Sequence, residues 1–101
     1  MNERNTIVAS GTIDTLSAVR LTPAGLTVLN FTIKHQSTQQ EAGRERKVQA
    51  ELRCILIGEK PAKLERIKMS KQIKVRGFMA AQSAKALHRL VLHITAYELI
   101  N

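Results

Sequence analysis

Apolar and polar residues alternate at a spacing of two along most of this chain, a pattern that admits strands and leaves little room for helices. Ile7, Ala9, Gly11 and Ile13 share one face of a first strand, with Val8, Ser10, Thr12 and Asp14 on the other. Gly11 inside the run suggests a bend or bulge. The arm is expected to continue through Ala18-Val19-Arg20-Leu21 to Thr22-Pro23-Ala24-Gly25. There proline presets φ and glycine accepts a positive φ, so the chain turns. Leu29, Phe31 and Ile33 form the core face of a second strand that runs out to His35. Gln36 to Arg46 is polar with Gly43 near its centre, and reads as a long, mobile hairpin loop. A third strand turns Val48, Ala50, Leu52, Cys54 and Leu56 inward and Gln49, Glu51 and Arg53 outward.

Gly58 closes that strand, and Pro61 suits the first turn of a helix. Leu64 and Ile67 recur at helical spacing, which predicts a short amphipathic helix of about two turns. Ile73, Val75 and Gly77 then alternate with Lys74, Arg76 and Phe78 in a fourth strand. A basic loop from Gln82 to His88 leads to a fifth, with Leu90, Leu92, Ile94 and Ala96 on one face. Five strands with a short helix between the third and fourth is the connectivity of the OB-fold, a Greek-key barrel. Its second and third strands, with the 1–2 and 4–5 loops, form the usual ligand face. An all-β OB barrel taking in residues 1–101 as one domain is therefore expected.

No catalytic constellation is visible. GxSxG, HExxH and Walker A sequences are missing, as are paired carboxylates at a regular spacing. His35, His88 and His93 are scattered, and the odd offset between the last two separates them across a strand. Cys54, the only cysteine, falls on an inward face and reads as a small buried hydrophobe. The expectation is a non-enzyme without metal or cofactor. The opening Met1-Asn2-Glu3-Arg4-Asn5 has no apolar leader, and no later run has the length of a membrane span. With one cysteine and no internal disulfide, the chain reads as cytoplasmic.

Charge supplies the functional direction. Sixteen Lys and Arg stand against eight Asp and Glu, a net charge of +8. Thirteen of those sixteen cations lie between Arg44 and Arg89, with only Glu45, Glu51, Glu59 and Glu65 among them. Such an excess favours a polyanion, nucleic acid ahead of an anionic membrane surface. Arg44, Arg46 and Lys47 in the 2–3 loop, and Lys85 and Arg89 at the 4–5 loop, would flank the barrel's groove. Arg20, Lys34 and Gln49 complete the candidate set. Contacts from such residues to phosphates release counterions, so binding would be salt-dependent and largely indifferent to sequence. Lys60, Lys63, Arg66, Lys68 and Lys71 surround the helix and read as its hydrated face or a protein-facing patch. Stacking platforms are scarce. Phe31 is expected in the core, Phe78 leans the same way, and Tyr97 anchors the last strand or a subunit contact.

Several segments carry a family resemblance. Leu21-Thr22-Pro23-Ala24-Gly25-Leu26, Lys34-His35-Gln36-Ser37 and Gln40-Glu41-Ala42-Gly43 resemble the primosomal replication protein N (PriB) family, of the single-stranded DNA-binding protein superfamily. So do Val75-Arg76-Gly77-Phe78, Val91-Leu92-His93 and Glu98-Leu99-Ile100, and the likeness covers nearly the whole chain. The resemblance implies an OB-fold homodimer that binds single-stranded DNA. It also implies a primosome accessory that joins a PriA-type helicase and further primosome proteins to reload the replicative helicase at stalled forks. Family DNA contacts from the 2–3 and 4–5 loops carry over onto Arg46, Lys85 and, as a basic equivalent, Arg89. Two departures point to weaker, more salt-sensitive binding: Arg44 and Gln49 stand where relatives stack aromatics, and the 4–5 loop is shorter. A general strand-coating protein is the alternative, disfavoured because the chain stops at Asn101 without an acidic tail. An OB-fold adaptor for protein partners, with weak DNA binding, is the other.

Overall fold

Six strands account for most of the chain in a computed structural model that describes residues 3–100. The expectation drawn from Asn101 falls outside those residues, as does the reading of Met1 and Asn2. The strands are β1 (Ile7–Leu16), β2 (Arg20–Leu21), β3 (Thr27–Glu41), β4 (Arg44–Ile57), β5 (Gln72–Ala81) and β6 (Leu90–Ile100). A single helical turn, α1 (Pro61–Leu64), links β4 to β5.

The sheet runs β1-β5-β6-β4-β3-β2, and β1 also pairs with β3, closing a barrel with OB connectivity. β1 serves both sides of the seam: Ile7–Thr12 pair with β5, and Thr12–Leu16 pair with β3. The switch needs a bulge, which sits between Ile13 and Thr15 and leaves Asp14 unopposed. Alternation flips there, so Ile13 and Leu16 both turn inward. The core is made of Ile13, Leu29, Phe31, Ile33, Cys54, Leu56, Ile73, Val75, Leu92 and Ile94, joined by Leu64 and Ile67 from the α1 region. Each such aliphatic side chain contributes about 1.5–3 kcal/mol of burial.

Several expectations need correction. The first arm does not run on to Leu21: it breaks after Leu16, and Arg20–Leu21 form a separate two-residue strand against β3. The helix has one turn instead of two, although Leu64 and Ile67 are both buried as its spacing implied. On β6 a second bulge leaves Thr95 unopposed, because Gly77 pairs with Ile94 while Arg76 pairs with Ala96. That slip turns Ala96 out and sends Tyr97 and Leu99 toward the core.

The largest correction concerns Gln36–Arg46. These residues form no loop: β3 and β4 hold unbroken register from Val28↔Ile57 to Glu41↔Arg44. Only Ala42 and Gly43 turn the chain, with φ of 53° and 77°. Two left-handed residues in a two-residue connection make a type I′ turn, whose twist matches that of the strands it joins. Apolar alternation fades here because the ribbon leaves the barrel and meets water on both faces. Val48 and Ala50, expected inside, are half-buried and exposed for the same reason.

Cys54 is 1% exposed, as its inward position implied. Burial pushes its thiol from an ordinary 9.0 up to about 12. A raised folded-state pKa favours the protonated form. This contribution to stability is full below about pH 9 and is lost as pH climbs toward the folded value. Iodoacetamide at pH 8 is therefore expected to leave the native protein unmodified and to alkylate it fully in urea. Rapid labelling of the native protein, read by mass spectrometry, would refute the buried, protonated thiol.

Candidate nucleic-acid interface

Because β3 and β4 bury Phe31, Ile33, Cys54 and Leu56, the residues between them face outward. Cross-strand register puts Asn30, Thr32, Lys34 and Gln36 of β3 beside Ile55, Arg53, Glu51 and Gln49 of β4. Lys47 continues the same face onto the ribbon, opposite Thr38. Lys34, Lys47, Gln49 and Arg53 thus share one surface.

That surface hollows into a groove of about 670 Å³ where β1, β3, β4 and β6 meet, with Arg20, Thr32, Arg53, Ile55 and His93 among its walls. Its polar groups are held in place. Arg20 Nη2 donates to Asn30 Oδ1 at 3.2 Å, and the Asn30 N–H donates to Ser17 Oγ at 3.0 Å. The Thr15 and Thr32 hydroxyls bond each other at 2.7 Å. Arg53 Nη1 donates to Gln82 Oε1 at 3.3 Å, which ties β4 to the start of the 82–89 connection. That connection is compact, since Gln82 N–H bonds the Arg89 carbonyl at 2.8 Å and Arg89 N–H bonds the Ala86 carbonyl at 3.0 Å. Lys85 and Arg89 are exposed on it, and Arg89 adjoins Arg53 across a smaller cleft.

The expected site residues are thus divided. Arg44, Arg46 and Lys47 lie on strand β4 and not in a loop, and strand alternation places Arg44 and Arg46 on the opposite ribbon face from Lys47 and Gln49. Arg46 is also engaged, 3.0 Å from the Glu41 carboxylate. Lys34 lies 3.5 Å from Asp14 and opposite Glu51, so its charge is partly offset. Arg53 was not among the expected residues, although its place on the outward face with Gln49 and Glu51 was readable from alternation.

Two aromatic positions depart from or refine the sequence reading. Phe31 is buried, but Phe78 is 41% exposed and outside the core. It sits opposite His93 on the outer face, the two rings stacked with centroids 4.9 Å apart and planes 11° from parallel. Tyr97 anchors β6 by donating its hydroxyl to Glu59 Oε2 at 2.8 Å. The Lys60 backbone N–H, then that hydroxyl, hold the Glu59 carboxyl below its ordinary pKa; burial and the Glu59 bond push Tyr97 up to about 12.

The histidines have ordinary partners or lie apart. The Ser10 carbonyl can only accept, so His35 Nδ1 carries the proton in the 2.8 Å bond between them; Nε2 accepts from Ser37 at 2.8 Å. No cluster of three or more His, Cys, Asp or Glu able to hold a metal occurs among the described residues. Nor is any helix there long and apolar enough to cross a membrane.

An OB barrel with an open, cation-bearing outer groove defines the single-strand-binding class of protein, and residues 5–96 match the model described as another single-strand binding protein family. The chain is 40% identical over 91 residues to replication restart protein PriB of Nitrosomonas europaea, covering 90% of this chain and 83% of that one. It is 33% identical over 99 residues to PriB of Escherichia coli O1:K1, covering 96% and 95%. The solved structure of PriB from Ralstonia solanacearum superposes with a TM-score of 0.83 at 26% identity, over 98% of this chain and 100% of that one. The single-stranded DNA binding protein from Thermus aquaticus shares the fold at a TM-score of 0.74 and 21% identity, over 97% of this chain and 50% of that one. The chain belongs to the PriB family of single-strand binding proteins.

Proposed function

We propose that this protein is a single-stranded DNA-binding accessory of replication restart. In this reading it stabilises complexes of a PriA-type helicase with DNA and helps reload the replicative helicase at stalled forks. It acts in the cytoplasm as one OB-fold domain, residues 1–101, paired with a second copy, and performs no catalysis. The observation that carries the reading is the outer face of β3 and β4. Lys47, Arg53 and Arg20 there lead from the ribbon into the groove, with Lys85 and Arg89 at its rim. An open track of cations with few hydrogen-bonding base readers suits a flexible phosphate backbone and little sequence choice. The family membership agrees, since the named relatives are replication restart proteins. Self-association is compatible with the β1 edge from Ile7 to Ser10, which has no second strand partner among the described residues.

The test is a titration of labelled oligo(dT) at several salt concentrations, beside a sizing measurement. About four phosphate contacts predict that log K falls with log salt with a slope near −3, from about −0.7 per contact on single strands. Repeating it with a PriA-type helicase present should tighten the complex. A flat salt response, or no binding at low salt, removes the DNA-binding function and leaves a protein adaptor.

A further inference from the structure

We infer that the stacked Phe78–His93 pair is a platform for an unpaired base, at the β5–β6 side of the cationic groove. The inference rests on the single-strand-binding reading above and adds a stacking site to it. Three observations place the pair there. His93 lines the groove itself, and it pairs in register with Ile55, the neighbour on that face of Arg53. Phe78 lies directly opposite His93 on the next strand, so the outer face continues from Arg53 through His93 to Phe78. The rings are nearly parallel at 4.9 Å, an offset stack that leaves Phe78 41% exposed.

This exposure is built into the sheet. Gly77 lets β5 approach β6 so closely that a Cβ there would overlap the His93 carbonyl oxygen. The bulge at Thr95 then sets Phe78 opposite His93. An apolar ring held on the surface and braced from below by a second ring offers a planar face to a planar partner. A base beside its own phosphate matches the arrangement: the phosphate meets Arg53 and the base lies against the rings. A partner protein would find here a single exposed ring bordered by the cations of the groove.

The test compares Phe78→Leu, Phe78→Trp and His93→Ala with the unaltered protein. The readouts are oligo(dT) affinity, salt slope, oligomeric state, melting temperature and quenching of 2-aminopurine in the oligonucleotide. Leucine keeps an apolar side chain and removes the π-face. It is expected to lower affinity about tenfold, as loss of one stacked base does. The salt slope and melt should remain, the quench should disappear, and Phe78→Trp should restore both affinity and quench. His93→Ala is expected to weaken binding in the same way and less severely. Affinity of Phe78→Leu within twofold of the unaltered protein, or no quench with the unaltered protein, overturns the platform. So does a loss of affinity that coincides with dissociation into single chains, which would assign Phe78 to contact with a second copy. Were the unaltered protein not to bind at low salt, the function proposed above would fall as well.

Discussion

Reversing Lys47, Arg53 and Lys85 together to glutamate is expected to lower affinity for oligo(dT) about a hundredfold at low salt, with an almost unchanged thermal melt. On single strands each phosphate contact changes log K by about 0.7 per tenfold change in salt. Three contacts therefore carry about two decades between 10 and 100 mM, before any repulsion from the new carboxylates. Stability should survive because all three residues are exposed and none forms an ion pair among the described residues. Surface substitutions of that kind stay within about 0.5 kcal/mol each. The matched comparison is reversal of Arg44 and Arg46, which occupy the other ribbon face and include the partner of Glu41. That pair should cost much less. If it proves as damaging as the triple, the strand wraps the ribbon tip and the outer-face assignment is wrong.

Gly77→Ala should destabilise the fold by about 3 kcal/mol or more, because overpacking against backbone cannot be relieved by a rotamer change. The new Cβ would meet the His93 carbonyl group and lie 3.1 Å from the Ile94 Cα. Both belong to a strand held by the β5–β6 ladder and, at Cys54↔Leu92 and Ile55↔His93, by β4. For a domain of this size the melt should fall by about 12 °C or more. Gly25→Ala is the control: nothing lies within 4 Å, but φ is +85°, so only a left-handed penalty of about 1 kcal/mol applies. Urea unfolding of both variants decides the matter. A Gly77→Ala protein that unfolds near the wild-type midpoint would mean that β5 and β6 separate easily, and the fixed placement of Phe78 would lose its support.

How much of this was legible beforehand depended on whether one face of a strand was dry. Ile73 and Val75, Leu92 and Ile94, and Cys54 and Leu56 were placed correctly because each pair alternates across a sheet with a core behind it. Gln36–Arg46 was misread as a loop because both faces are wet there, and the pairing energy lies in the backbone, which leaves no trace in hydropathy. Its one local signal was Ala42-Gly43, a connection that suits a tight I′ turn. Ala96 was misplaced because the slip at Thr95 involves a single residue, and each side chain beyond it changes face.

The residues of the candidate site follow the same division. Charge excess, missing catalytic motifs and strand alternation are local or summed properties, so the sequence by itself determined an all-β barrel, a cationic surface and Arg53 facing outward with Gln49. Which cations share a face was decided by the tertiary structure, through the unbroken β3–β4 register that parts Arg44 and Arg46 from Lys47. Phe78 shows the distinction most clearly. Its neighbours in the chain are as compatible with a core ring as with a surface one. Only the close approach of β6 over Gly77, made by residues far along the chain, turns it outward and stacks it on His93.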